Sequence, residues 1–541
     1  MIIKIIQILS NLNKNERLIF GGALLVFCAS AIFIGWRFYI SKTIVVANFG
    51  GTYTEGIVGQ PALINPVNAV NEIDRDLITI LFSNLLQLTD SYKVSADNKT
   101  WIISLKKDLF WDDGQKLTAD DVVFTIQTIQ DQNAQSPIYH QWQDVLAERL
   151  DENEIRLTLK NPYAFFIDNL KELRPIPKHI FADIPVTNFR LSNYNLEPVG
   201  SGPYKYLALK KEKNGFITKY KFEINPKFYG EKPYIENLNF KFFNNIDDLI
   251  NSLNKGEIIA AGGLDADITQ KIKRNVQSFQ INIPRYYALF FNLSDTSPLI
   301  KNREVRWALS LAIDKNKIIN SALHNGAMII NGPIFPGLEG YNQDFYKKNT
   351  FNIEEAKKTL AAANLKFPST GGPMIDLIIP RISFLTDTAN IIKENWEELG
   401  LKVNLIIIDS NDIVNQYIKT RNYSAIIFGN ILKSNSDVYS FWHSNERFFP
   451  GLNLSLYNNK EVDSLLESIQ KENSPPIRQK KLLSLQQKIT EDQPAIFLFS
   501  PSYYYVTTKD LNGFKPNFLA SANDRFTDIN KWYLKTTRKF K

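Results

Sequence analysis

The sequence predicts a multidomain α/β protein carried behind one N-terminal transmembrane helix, and three observations point there. At 541 residues the chain exceeds what a single hydrophobic core organises, so two or three structural domains are expected. Strand signals of period 2 and helix signals of period 3.6 alternate along its length, the pattern of α/β architecture. Near the start, nineteen uncharged residues run from Leu18 to Trp36 between Arg17 and Arg37, about the length that crosses a bilayer core. Composition narrows the function. The chain is 44% hydrophobic and 22% charged, with a net charge of +7. That charge is thin for the length, and no dense Lys/Arg block with interleaved aromatics occurs, which argues against a nucleic-acid partner. The single cysteine, Cys28, lies inside the apolar span, so neither an intrachain disulfide nor a thiolate metal site can form. His140, His179, His324 and His443 are scattered without metal-ligand spacing, and no metal or cofactor is expected.

Residues 1–42 read as a cytoplasmic stub and membrane anchor, with residues 18–40 against the lipid bilayer. Lys4, Lys14 and Arg17 precede the span and favour a cytoplasmic N-terminus, although Arg37 and Lys42 weaken the bias. A single-pass cell-membrane protein with its bulk extracytoplasmic is expected. Ala29-Ser30-Ala31 imitates a signal-peptide cleavage pattern, but Ile32, Phe33 and Ile34 continue the apolar run and favour an uncleaved anchor. Thr43–Ala47 is a β-branched strand. The glycines from Gly50 to Gly56 are not a phosphate loop, since no Lys-Ser/Thr follows them. Asn98–Phe124 reads as strand, turn and helix without a gap. Thr100–Leu105 alternate, Asp112-Asp113-Gly114 turn, and Thr118 with Asp121 forms a capping box ahead of Val122, Val123, Phe124, Ile126 and Ile129. Pro198–Tyr204 fixes the start of a strand over Tyr204–Leu209; its Gly-Ser-Gly lacks the G-x-S-x-G of a nucleophile elbow. Val305, Leu309 and Ala312 mark the buried face of a docked helix. Ser424–Phe428, Pro494–Phe499 and Tyr503–Val506 read as further strands.

Lys99-Thr100-Trp101, Leu105-Lys106, Phe110, Asp113-Gly114, Thr118-Ala119 and Asp121–Phe124 resemble the signature of the family 5 extracellular solute-binding proteins. These are the oligopeptide, dipeptide and nickel receptors of bacterial ABC importers. Pro198–Tyr204, Asn225–Ile235 and Phe290–Asp314 follow in the family's order, with Glu394–Val403 after them, and Asp74–Leu86 resembles the family's opening, which implies a helix ending at Asn84-Leu85-Leu86. The resemblance implies a class II periplasmic-binding-protein-like fold of two lobes with an extra subdomain. Lobe I would take residues 43–75, 196–283 and 500–541, the extra subdomain 76–195, and lobe II 284–499. It also implies a monomeric, non-enzymatic receptor that captures peptides or another small solute for an ABC transporter permease. An anchored hydrolase and a non-transporting sensor or adaptor remain the alternatives. Many relatives carry a lipid on a cysteine that follows a small residue; here Phe27 precedes Cys28.

Ligand sites follow from the same resemblance. Relatives hold ligand between the lobes, which makes Gly59, Asn65, Asn292, Asn430, Ile431, Leu432, Ser434, Asp437 and Trp442 cleft candidates. In oligopeptide-binding relatives an acid just before an acid-Pro pair takes the peptide ammonium. Here the pair reads Asp437-Val438 and the acid is Ser434. Either another carboxylate, Asp437 or Glu55, replaces it, or the ligand has no free amino group. Asp437 can equally be a helix cap, and Trp442 core. Nickel is the weaker variant, because His443 has no partner in sequence.

Overall fold

The computed structural model describes residues 13–294, 298–346, 350–363, 373–409, 412–516 and 518–541. Residues 1–12, with Lys4, lie outside them. A helix over Lys14–Lys42 opens the described chain, capped by Asn13 and Glu16, and none of its residues is buried against the rest of the protein. The strands, in chain order, are β1 (Thr43–Asn48), β2 (Thr52–Val58), β3 (Thr89–Val94), β4 (Thr100–Leu105), β5 (Val145–Arg149) and β6 (Glu154–Leu159). β7 (Tyr204–Lys211), β8 (Ile217–Ile224), β9 (Asn237–Phe243), β10 (Ala260–Leu264) and β11 (Val276–Ile281) come next. Then follow β12 (Arg285–Phe291), β13 (Ala327–Ile329), β14 (Met374–Pro380), β15 (Lys402–Ile408), β16 (Ala425–Ile431), β17 (Ala495–Pro501), β18 (Tyr503–Thr508) and β19 (Lys535–Phe540).

These form four sheets. Lobe I holds the order β11-β18-β10-β2-β9-β8-β7, the extra subdomain β3-β4-β6-β5, and lobe II β13-β17-β12-β16-β14-β15; β1 and β19 make a separate two-stranded ribbon. Lobe I and the subdomain share one continuous apolar core. β4 buries Trp101, Ile103 and Leu105 and turns their neighbours outward, as its alternation requires. Gly114 takes φ +95° in the turn, and Thr118 and Asp121 cap the helix Ala119–Gln130. In lobe II helices cover both faces of the sheet, so β12 is apolar on both sides. Leu289 and Phe291 face one core, while Tyr286, Ala288 and Phe290 face the other.

The helix expected through Leu86 stops at Leu81 and restarts at Leu85. Between the pieces Ser83 donates from both its amide and its hydroxyl to Ser201, and Asn84 caps the second piece with Gln87. The break is why Gly200 and Gly202 are required: a Cβ there would lie 2.0 and 2.3 Å from the carbonyl oxygens of Leu81 and Ile80. The strand expected over Ser424–Phe428 runs three residues further, to Ile431, because β12 pairs with it through Arg285 and Ile431.

Candidate ligand-binding groove

Two chain crossings join the lobes: Asn282–Pro284, between β11 and β12, and Ser502, between β17 and β18. Ser502 Oγ donates to Asn282 Oδ1 (3.1 Å) and accepts from Gln280 Nε2 (3.0 Å), and Ser500 Oγ donates to the Ile283 carbonyl (3.3 Å). Such paired crossings are the geometry of a hinge.

At a second place the subdomain segment Tyr163–Glu172 clasps lobe II. Tyr163 Oη donates to Asp437 Oδ2 (2.8 Å), Asn435 Nδ2 donates to Asp168 Oδ2 (2.8 Å), and Lys433 Nζ lies 2.6 Å from Glu172 Oε2. The Ala164 amide donates to the Gln470 carbonyl (2.7 Å). Phe165, from the subdomain, inserts into the apolar core of lobe II beneath the Arg478 guanidinium. Burial and the adjacent Asp437 carboxylate hold the Tyr163 hydroxyl well above its ordinary pKa, so it stays a donor.

One segment of lobe II runs from hinge to clasp. The Leu432 amide donates to the Pro284 carbonyl at its start (2.8 Å), and Asp437 meets Tyr163 at its end. Asn430 and Leu432 are buried, Asn430 donating to Tyr286 Oη (3.2 Å), whereas Ile431 is 69% exposed. Ser434 and Asp437 are half-buried. Asp437 does two jobs: Oδ1 caps the turn at Tyr439 (3.1 Å), and Oδ2 accepts from Tyr163 and from Gln470 (3.0 Å).

β16 also carries an open edge. Just beyond its two ends the Leu432 amide and the Ser424 carbonyl bond the β12 side, so by alternation Gly429 and Ile431 point their backbone groups the other way. On that side β14 pairs only with Ala425 and Ile426, so Gly429 and Ile431 have no strand partner among the described residues.

The other candidates fall elsewhere. Trp442 is fully buried among Phe290, Tyr457 and Phe497, a core residue. Asn292 sits at the opposite end of β12 from Ile431, roughly 20 Å along the strand. Its amide is engaged by the carbonyls of Arg421 and Tyr423 and by Ser294, which makes it a brace. Gly59, at φ +101°, ends β2, and Asn65 is buried in a turn over residues 65–69; both belong to lobe I. Glu55 is unavailable to a ligand: it is fully enclosed by Arg525 (2.8 Å), Tyr505 (3.1 Å) and Tyr53, while Arg525 also grips Asp76. His443 is likewise buried, stacked on Tyr439 at 4.2 Å. A separate cavity of about 230 Å³ in lobe II is lined by Lys315, Asn331, Gln343 and Tyr346, and shares no residue with the hinge-to-clasp segment.

Sequence reasoning missed Tyr163, Phe165, Asp168 and Glu172. Their one signal was the aromatic run Tyr163-Ala164-Phe165-Phe166 placed outside any strand pattern.

The bacterial extracellular solute-binding protein family 5 pattern matches residues 86–447. The chain belongs to that family. This solute-binding protein is 26% identical over 512 residues to the oligopeptide-binding protein AppA of Bacillus subtilis, covering 90% of this chain and 92% of that one. The solved structure of AppA, in complex with a nonapeptide, matches with a TM-score of 0.72 at 25% identity, covering 91% of this chain and all of that one. The ABC transporter substrate-binding protein CtaP of Listeria monocytogenes matches with a TM-score of 0.78 at 25% identity, covering 90% and 100%. The fold is therefore the two-lobed, class II periplasmic-binding-protein type.

Proposed function

We propose that this protein is a membrane-anchored extracytoplasmic receptor that binds peptides between its lobes, without turnover, and delivers them to an ABC importer. The observation that carries the reading is the open edge of β16 at Gly429 and Ile431, next to the hinge and just ahead of the segment that leads to the clasp. An extended peptide can add there as a strand, its backbone satisfying groups that the sheet leaves unpaired, and its side chains then alternate toward and away from Ile431. Clasp contacts from Tyr163, Asp168 and Glu172 favour the state in which the lobes meet, and a ligand touching both lobes adds the differential affinity that capture requires.

No acid stands at Ser434, Glu55 is spent inside lobe I, and Asp437 is already held by Tyr163 and Gln470, which supports a site that does not depend on a peptide ammonium. The N-terminal helix supports the anchor: it has 29 residues, high hydropathy and no buried surface. Titration calorimetry of the detergent-solubilised chain, with free-amino and N-acetylated forms of the same peptides, tests the reading. Both forms are expected to bind within a few-fold of each other and to be recovered intact. Absence of binding across a peptide library overturns it, and recovered cleavage products redirect it to a hydrolase.

A further inference from the structure

The last strand returns to where the N-terminal helix ends. β19 pairs antiparallel with β1, Phe540 opposite Thr43 and Lys535 opposite Asn48. The Lys541 amide donates to the Lys42 carbonyl (2.9 Å), and the Phe540 ring meets Tyr39 edge-on at 6.0 Å. Thr43 Oγ1 donates to the Tyr39 carbonyl (2.6 Å) and accepts from Arg538 Nη1 (3.0 Å). The final helical turn and the final strand are thus one unit.

That unit is exposed in a way water does not favour. Phe540 is 70% exposed, and Ile44 and Val45, which point to opposite faces of the ribbon, are 47% and 55% exposed. A two-stranded ribbon with neither face covered is marginal by itself in water. Its charge is one-sided. Arg37 to Gly50 and Tyr533 to Lys541 contain Arg37, Lys42, Lys535, Arg538, Lys539 and Lys541 and not one acid. Among the described residues none of these six has an acidic partner. Trp36, Phe38 and Tyr39 stand at the same end of the helix. Aromatic rings beside cations, directly after an apolar span, match the chemistry of a membrane interface.

We infer that the helix-proximal end of the β1–β19 ribbon is a second membrane contact. Phe540 sits at the level of Tyr39 in the interface, and Arg538, Lys539 and Lys541 bind anionic lipid headgroups. The inference rests on the proposed anchor. The far end of the ribbon is fixed to lobe I, where the Gly50 amide donates to the Tyr234 carbonyl (2.8 Å) and Phe49 packs on Tyr234 at 5.1 Å. A ribbon held at both ends sets the height and tilt of lobe I above the bilayer, which a single flexible linker would not do.

The test places nitroxide labels on the full chain, in a Cys28→Ser background, in nanodiscs of phosphatidylcholine with or without phosphatidylglycerol. Labels go on Phe540→Cys, on Ile44→Cys, whose residue pairs with Lys539, and on Leu207→Cys, a lobe I control. With anionic lipid, the labels at 540 and 44 are expected to be several-fold less accessible to a water-soluble nickel relaxant than the label at 207. Arg538→Gln, Lys539→Gln and Lys541→Gln together should abolish the dependence on anionic lipid. Equal nickel accessibility at all three labels in both lipids overturns the inference. Intact mass separates the two readings. A chain that begins after Ala31 overturns the anchor and this inference together; a retained helix with a water-exposed label at 540 overturns this inference alone.

Discussion

In Asn98–Phe124 the polar side chains of turn and cap end within their own body: Thr118 and Asp121 cap one helix, and Asp112 accepts from the Gly200 amide (2.9 Å). In Gly429–Trp442 they end on the opposite one, Lys433 on Glu172, Asn435 on Asp168 and Asp437 on Tyr163. The first segment is satisfied within lobe I and its subdomain and specifies the fold. The second is satisfied partly within lobe II, Asp437 by Tyr439 and Gln470, and partly by the subdomain across from it, so its contacts depend on how the two bodies meet. The difference teaches that the strongest family motifs here are building devices, and that the proposed binding segment lies outside them.

Substitutions can break this contrast. Gly200→Ala places a methyl group 2.0 Å from the Leu81 carbonyl and should cost about 3 kcal/mol or more of stability. Chemical denaturation reads the loss, and peptide affinity of the fraction that folds should be unchanged; a loss of affinity in folded protein would erase the distinction between the segments. Phe165→Ala should behave oppositely. Removing this ring from lobe II weakens closure by about 2–3 kcal/mol, seen as a roughly thirty- to 150-fold loss of peptide affinity and a more open form in solution scattering. An unchanged affinity would mean that the clasp is not part of capture.

Lys315 sharpens the contrast from within lobe II, away from the groove. Burial pushes its ammonium down to about 7, although it donates to Asn331 Oδ1 (2.7 Å) and the Ile330 carbonyl (3.3 Å). The unfolded chain keeps that proton up to the ordinary lysine value. Between pH 7 and about 10 the unfolded state therefore binds more protons, and stability gains with rising pH. Lys315→Met should remove this slope and raise stability near pH 7 by roughly 1–3 kcal/mol, with binding unaffected. A variant and parent with parallel pH–stability curves would show that the amine is not held neutral by burial. The smallest effect is expected for Asp437→Asn, which keeps the cap and weakens the Tyr163 bond. Affinity should fall about three- to tenfold, with less than about 1 kcal/mol lost in stability. A larger loss confined to free-amino peptides would make Asp437 the ammonium acceptor.

The sequence by itself determined the elements whose causes are local. β4 follows from a six-residue alternation, the Gly114 turn from its need for positive φ, the capping box from Thr118 and Asp121, and the N-terminal helix from an uninterrupted apolar run. It also gave a family through motifs that keep their order along the chain. The tertiary structure decided everything that depends on a distant neighbour. It ended the helix at Leu81 because Ser201 waits beside Ser83, and it carried β16 on to Ile431 because β12 pairs with it. Asn292 became a brace and Trp442 core, and Arg525 took Glu55, more than four hundred residues away in sequence. Tyr163 and Asp437 meet only where the subdomain touches lobe II. Local torsional preference and periodicity are written in neighbouring residues, but hydrogen bonds between lobes depend on which surfaces the completed fold brings together, and no spacing in the chain records that.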